Sequence, residues 1–171
     1  MFLKAMGLVC ILLSGIALGN YFAKKNQQRL KELSLFYALF HQIERQISFL
    51  NLSTGDILEQ LTCETQFLNF DFIKILKRKF QENQTLSTAW HEALNTYQTQ
   101  TALLREDISF LQNFAGIFGA TDAKGQIESC EYFKNRLEEQ RKDAVKNNKT
   151  KEKISYTLGV FGGLFLCILF L

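Results

Sequence analysis

From Leu33 the apolar positions run Leu33, Phe36, Phe40, Ile43, Ile47 and Leu50, in unbroken steps of three and four. Residues at that spacing share one helix face, so the pattern predicts an amphipathic helix of about 24 residues, Gln27 to Leu50, with this stripe in a core. Ser53 and Thr54 are N-cap candidates for a short helix carrying Ile57, Leu58 and Leu61, because a hydroxyl there can accept from an unpaired first-turn amide. A third helix should bury Phe70, Ile73, Leu76 and Phe80 and turn Lys74, Lys77, Arg78 and Lys79 outward. Ser87 is the next cap candidate, ahead of Trp90 and Leu94. Arg105 to Phe118 predicts a helix with Ile108, Leu111, Ala115 and Phe118 inside, closed by Gly119.

Thr121 opens the last helix. Between Gly125 and Gly159 there is neither Gly nor Pro, and Ile127, Cys130, Lys134, Leu137, Arg141 and Ala144 keep the spacing while its later positions turn polar. One helix of about 50 residues, ~75 Å long, is expected, with the polar run Asn147, Asn148, Lys149, Thr150 as its weak point. No useful period-2 alternation competes. The fold class is therefore all-α, a bundle of about six helices.

The two ends differ from this middle. Ala5 to Ala23 and Ile154 to Leu171 are uncharged and dominated by Leu, Ile, Val, Phe, Ala and Gly. Helices of that length reach about 27 to 29 Å, close to the ~30 Å hydrocarbon thickness of a bilayer. The expected organisation is a transmembrane helix at 5–23, a cytoplasmic helical domain at 24–153 and a transmembrane helix at 154–171. Ala17, Leu18 and Gly19 would also suit signal-peptide cleavage, a second reading of the first segment. All 17 acidic and 19 of the 20 basic residues lie between Lys24 and Lys153. Basic residues crowd the inner flanks, Lys24, Lys25, Arg29 and Lys31 after the first segment and Arg141 to Lys153 before the second, with only Lys4 outside. By the positive-inside rule the middle is cytoplasmic and both termini face the opposite side.

Composition narrows the chemistry. The 171 residues include no Pro, and the net charge of +3 is spread over a mixed surface, which points away from nucleic acid. Four cysteines, at 10, 63, 130 and 167, form no C-x-x-C pair, so neither a zinc site nor a disulfide framework is expected. Cys63 and Cys130 read as small apolar residues. His41 and His91 lack any ligand spacing, and no phosphate-binding G-x-x-x-x-G-K-[ST] occurs. Glu106 and Asp107 suit a helix N-terminus, and Glu138 and Glu139, among Arg136, Arg141 and Lys142, suit a solvated helix face. No catalytic, cofactor-binding or metal-binding residue is assigned, and no enzyme activity or cofactor is expected.

Two features favour assembly. Gly15 with Gly19, and Gly159 with Gly163, make G-x-x-x-G faces in the apolar segments, which let helix backbones approach within a membrane. Neither segment holds an ionisable Asp, Glu, Lys, Arg or His, which disfavours a proton relay or substrate path. Lys74, Arg78 and Lys79 are the candidate docking charges for a partner, since rim charges steer encounter.

Several of these residues resemble the stage III sporulation protein AB family of endospore-forming bacteria. The likeness covers nearly the whole chain: Lys24 and Lys25 after the first segment, Ile43, Glu44 and Ile47, Trp90 with Ala93 and Leu94, Asp107 and Leu111, Gly119 followed by Asp122 and Gln126, and the tail Lys153 to Gly163. The resemblance implies a two-span protein of the mother-cell membrane around the forespore. Its cytoplasmic domain would look like the platform component of type II secretion and type IV pilus machines. It would work in a channel complex beside a secretion-type ATPase and other subunits, with a homo-oligomer possible. The alternative, from another class, is a membrane-anchored regulator or sensor whose helical domain binds a ligand or partner.

Overall fold

In the computed structural model the backbone is described for residues 2–50, 54–82, 85–117 and 121–170. Side chains are described for Gly7, Ala17 and residues 19–49, 55–82, 85–117 and 121–146. Six α-helices carry the chain: α1 Phe2–Arg45, α2 Thr54–Cys63, α3 Asp71–Gln81, α4 Leu86–Tyr97, α5 Arg105–Gln112 and α6 Ala123–Phe170. No strand occurs among the described residues. The chain divides into two compact units, Lys31–Arg141 and a second made of Met1–Leu30 with Lys142–Leu171.

Within Lys31–Arg141 the predicted stripes are the core. Leu33, Phe36, Phe40, Ile43 and Ile47 of the first helix are buried, as are Ile57, Leu58 and Leu61 of α2. The side chain of Leu50 lies outside the described residues. Aromatic rings fill the centre. Phe36 meets Phe72 at 4.9 Å, Phe72 meets Trp90 edge-on at 5.0 Å, and Trp90 meets Phe114 at 5.0 Å between centroids. From α6, Phe133 reaches Phe40 at 5.2 Å and Phe110 at 4.6 Å. The fully buried Trp90 satisfies its one polar atom by donating Nε1–H to the Leu111 carbonyl at 2.8 Å, which ties α4 to α5.

Several boundaries differ from expectation for physical reasons. The first helix ends in a π-helical turn, Gln46–Leu50, which buries Gln46 and leaves Phe49 exposed. Thr54 is already helical and therefore not a cap, and Ser53 lies outside the described residues. A 3₁₀ turn, Thr65–Phe67, precedes α3. Phe70 is buried but stands before α3, with extended backbone at φ −97° and ψ 94°; Phe72 takes the place in the core, while Phe80 is partly buried. The cap of α4 is Thr85, not Ser87. The Thr85 backbone is extended and its hydroxyl accepts from Thr88 N–H at 3.2 Å, while Ser87 is inside the helix. The helix opened by Arg105 stops at Gln112 and tightens into a 3₁₀ turn, Asn113–Gly116; Phe118 and Gly119 lie outside the described residues. Asp107, buried in the first turn of α5, accepts from the Leu104 N–H at 2.8 Å, so one of the paired carboxylates is a cap.

The long final helix is one element, Ala123–Phe170. Its cap is Asp122, one residue beyond the expected Thr121. The Asp122 carboxylate accepts from Gly125 N–H at 2.9 Å, and Gln126 donates back to the Thr121 carbonyl at 2.8 Å. A Cβ at Gly125 would stand 2.9 Å from Asp122 Oδ1, so any larger residue there would push the capping carboxylate aside. Among the described residues no helix is long and apolar enough to cross a membrane. Most side chains of the apolar segment 5–23, and all of those of 154–171, lie outside the described residues.

Candidate functional site

The seam between α1 and α6 is the most chemically varied part of the Lys31–Arg141 unit. Lys134, which interrupts the apolar stripe of α6, donates to the Glu44 carboxylate in a partly buried ion pair. One seven-residue step further along, the Arg141 guanidinium stands 5.6 Å from the centre of the Tyr37 ring. Glu44 to Tyr37 runs against Lys134 to Arg141, so the two helices are antiparallel here, and the polar drift of the stripe is paired rather than solvated. Beside this ion pair, burial pushes the Cys130 thiol up to about 12; the Glu44 charge adds to the rise and Lys134 opposes it. A thiol held protonated at neutral pH is a packing residue, not a nucleophile.

A second polar contact fastens the α4–α5 connection. Glu32, buried on α1, accepts from the Thr101 hydroxyl and from Ala102 N–H. Burial, followed by the nearby Glu32 charge, pushes the Tyr97 phenol above its ordinary range, so this ring also stays neutral.

The docking candidates all lie on α3, but their environments differ. Lys74 and Arg78 are exposed and one helical turn apart. Lys74 pairs with Asp71 at 3.1 Å, an exposed contact of the kind that contributes ~0–1 kcal/mol. Lys79 is turned away from them and bridges to Glu82 and to Glu92 of α4, each at 3.1 Å. Hydrogen bonds to Glu92 and then Glu82 raise its pKa above the ordinary lysine value. The structure thus gathers Lys74 with Arg78 and assigns Lys79 to the α3–α4 contact. Nothing in the sequence pattern linked Lys79 to Glu92.

Of the candidate glycines, Gly19 leaves open space: an added Cβ would meet nothing within 4 Å. The surroundings of Gly15, Gly159 and Gly163 lie outside the described residues, as do the side chains of Cys10 and Cys167. Cys63, read from the sequence as a small apolar residue, is not packed away in the core. It is exposed at the end of α2, on an open hollow of about 610 Å³ shared with Glu59, Gln60, Glu64, Thr65 and Lys77. His41 and His91 are exposed on α1 and α4. Among the described residues no group of three or more His, Cys, Asp or Glu could hold a metal ion. Glu139 pairs with Arg136 at 2.7 Å on a solvated helix face, as expected, whereas Glu138 pairs with Arg141 at 2.7 Å in a partly buried contact beside the seam.

The family model for stage III sporulation protein AB matches residues 4–171. The chain belongs to the stage III sporulation protein AB family. A solved structure of stage III sporulation protein AB is similar to it with a TM-score of 0.58 and 16% identity, covering 71% of this chain and 97% of that one. At that identity the likeness shows the shared helical fold. No curated protein matches the chain by sequence. In this member of the family, the Asp122 and Gln126 of the quoted family pattern have a structural task, since both close the start of α6.

Proposed function

We propose that this protein is a noncatalytic platform and assembly component of a sporulation-specific, secretion-like channel between mother cell and forespore, working beside a cytoplasmic secretion-type ATPase. The observation that carries it is membership of a stage III sporulation family over residues 4–171. The reading is supported by the apolar segments 5–23 and 154–171, taken as membrane spans, and by their basic inner flanks. On this reading the Lys31–Arg141 unit is cytoplasmic and passes force or position between the ATPase and the membrane. Its ATPase-facing surface includes Lys74 and Arg78, and the glycine faces pack the spans against each other or against neighbouring subunits.

Charge reversal tests the docking surface. Lys79 is left intact in the decisive variant, because reversing it would set like charges against Glu82 and Glu92. Lys74→Glu with Arg78→Glu should weaken copurification with the ATPase and block sporulation after engulfment, while helicity by circular dichroism is unchanged. Normal copurification and normal sporulation would remove this surface. Normal sporulation in cells lacking the whole protein would remove the channel role.

A further inference from the structure

The unit made of Met1–Leu30 and Lys142–Leu171 carries a surface whose lysines the platform reading uses only to orient the chain. On α1, Tyr21 and Phe22 are 61% and 63% exposed, their rings in edge contact at 5.7 Å and 74°. Lys24 and Lys25 follow, both exposed. Asn26 Nδ2 then donates to the Ala144 carbonyl of α6 at 3.3 Å, and Ala144 is fully buried, so the two helices touch at this level. Either side of that contact, Lys142 and Lys146 are exposed on α6, with Asp143 the acidic residue between them. Four lysines therefore gather around one level of the unit. Two bare aromatic rings, at the end of the apolar segment, stand about 3 to 6 Å before Lys24 and Lys25 by the helical rise.

Two large exposed aromatic side chains side by side are unfavourable in water, and their position relative to the lysines selects an occupant. Along α1 out of the apolar segment 5–23, the order is amphipathic and apolar ring at its end, then cation. That is the order of depth in a bilayer interface, where aromatic rings sit at headgroup level and lysines meet phosphate. A cluster of four to eight basic residues beside a span attracts anionic lipid. A protein partner would need an acidic face over the lysines and an apolar pocket over the rings. One continuous surface, the anionic leaflet, supplies both.

We propose that Tyr21, Phe22, Lys24, Lys25, Lys142 and Lys146 form a collar that binds the headgroup layer of anionic phospholipid and sets the depth of the protein in the bilayer. The proposal rests on the reading of 5–23 as a membrane span, and the test separates the two. The full chain, whose one tryptophan is the buried Trp90, is placed in phosphatidylcholine vesicles with or without phosphatidylglycerol. Bromine on the acyl chains, shallow or deep, serves as the quencher. Phe22→Trp should be quenched most by the shallow bromines and Leu12→Trp most by the deep ones, with the unsubstituted chain unaffected. Quenching at position 12 without quenching at 22 overturns the collar and leaves the span standing. Loss of both removes the span and the collar together. In the second arm, binding of spin-labelled phosphatidylglycerol relative to phosphatidylcholine is measured. The four-lysine glutamine variant should lose most of that preference, and the corresponding arginine variant should keep it. Equal preference in the glutamine variant overturns the role of the lysines.

Discussion

The inner face of α1 meets two kinds of neighbour within the Lys31–Arg141 unit. Towards α3, α4 and α5 it presents rings to rings: Phe36 on Phe70 and Phe72, Phe40 on Trp90 and Phe114. Along α6 it presents one ring contact, Phe40 on Phe133, and then Glu44 to Lys134 and Tyr37 to Arg141. The first wall gains from buried apolar area and needs only shape and volume. The second needs particular partners opposite one another, because each partly buried charge is costly if left alone. A wall of the first kind is stability without specificity of register. The second fixes how α6 sits along α1, since sliding by one turn would strand both Glu44 and Lys134.

Removing the central ring of the apolar wall should have the largest effect. Trp90→Ala empties a fully buried indole site between Phe72, Phe40 and Phe114 and removes the side-chain donor to the Leu111 carbonyl. A loss of about 3–5 kcal/mol is expected, read as a fall in the denaturant midpoint of the purified full chain. Trp90→Phe keeps most of the volume and should recover more than half of that loss. If Trp90→Ala unfolds at the same midpoint as the unsubstituted chain, the aromatic wall is not what holds the unit together.

The polar wall predicts a different signature. Glu44→Gln and Lys134→Met should each cost about 1–3 kcal/mol, between the values for exposed and fully buried pairs. The double variant should cost less than their sum, by at least ~0.5 kcal/mol, because the second change removes the charge stranded by the first. The loss should also expose Cys130, which adjoins the pair, to faster labelling by a thiol reagent than in Trp90→Phe. Strict additivity would mean that the two charges do not hold the register.

The same contrast explains what could be seen in the chain before its structure. The apolar wall was legible because Leu33, Phe36, Phe40, Ile43 and Ile47 repeat locally, as do Ile57, Leu58 and Leu61. Leu39 and Phe133 were missed. Both lie beside a stripe drawn one residue wide, whereas a helix packed on several neighbours buries a broader arc. The polar wall was not legible, since Glu44 and Lys134 are 90 positions apart and nothing local couples them. The docking trio shows both sides. Lys74 and Arg78 share a face by spacing alone, while the bridge that takes Lys79 out of the trio depends on how α4 packs. Cap residues fall between. Thr85 and Ser87 are both good candidates by type, and only the extended backbone at Thr85 decides.

The smallest expected effect concerns how α6 begins, ahead of either wall. Asp122→Ala removes the acceptor for Gly125 N–H and should cost about 1 kcal/mol. Gly125→Ala combines two opposed terms. Alanine in place of glycine favours the helix by up to ~1 kcal/mol, but its Cβ would stand 2.9 Å from Asp122 Oδ1 and displace the cap. In the unsubstituted chain these should nearly cancel. With Asp122→Ala already present the 2.9 Å clash is gone and only the 3.3 Å contacts with Thr121 remain, so adding Gly125→Ala should stabilise the protein by part of that ~1 kcal/mol. The two midpoints, measured in the same denaturant, give the coupling directly. If Gly125→Ala stabilises equally in both backgrounds, the carboxylate is not seated on that amide, and the start of α6 is set by its packing on α1 rather than by its own cap.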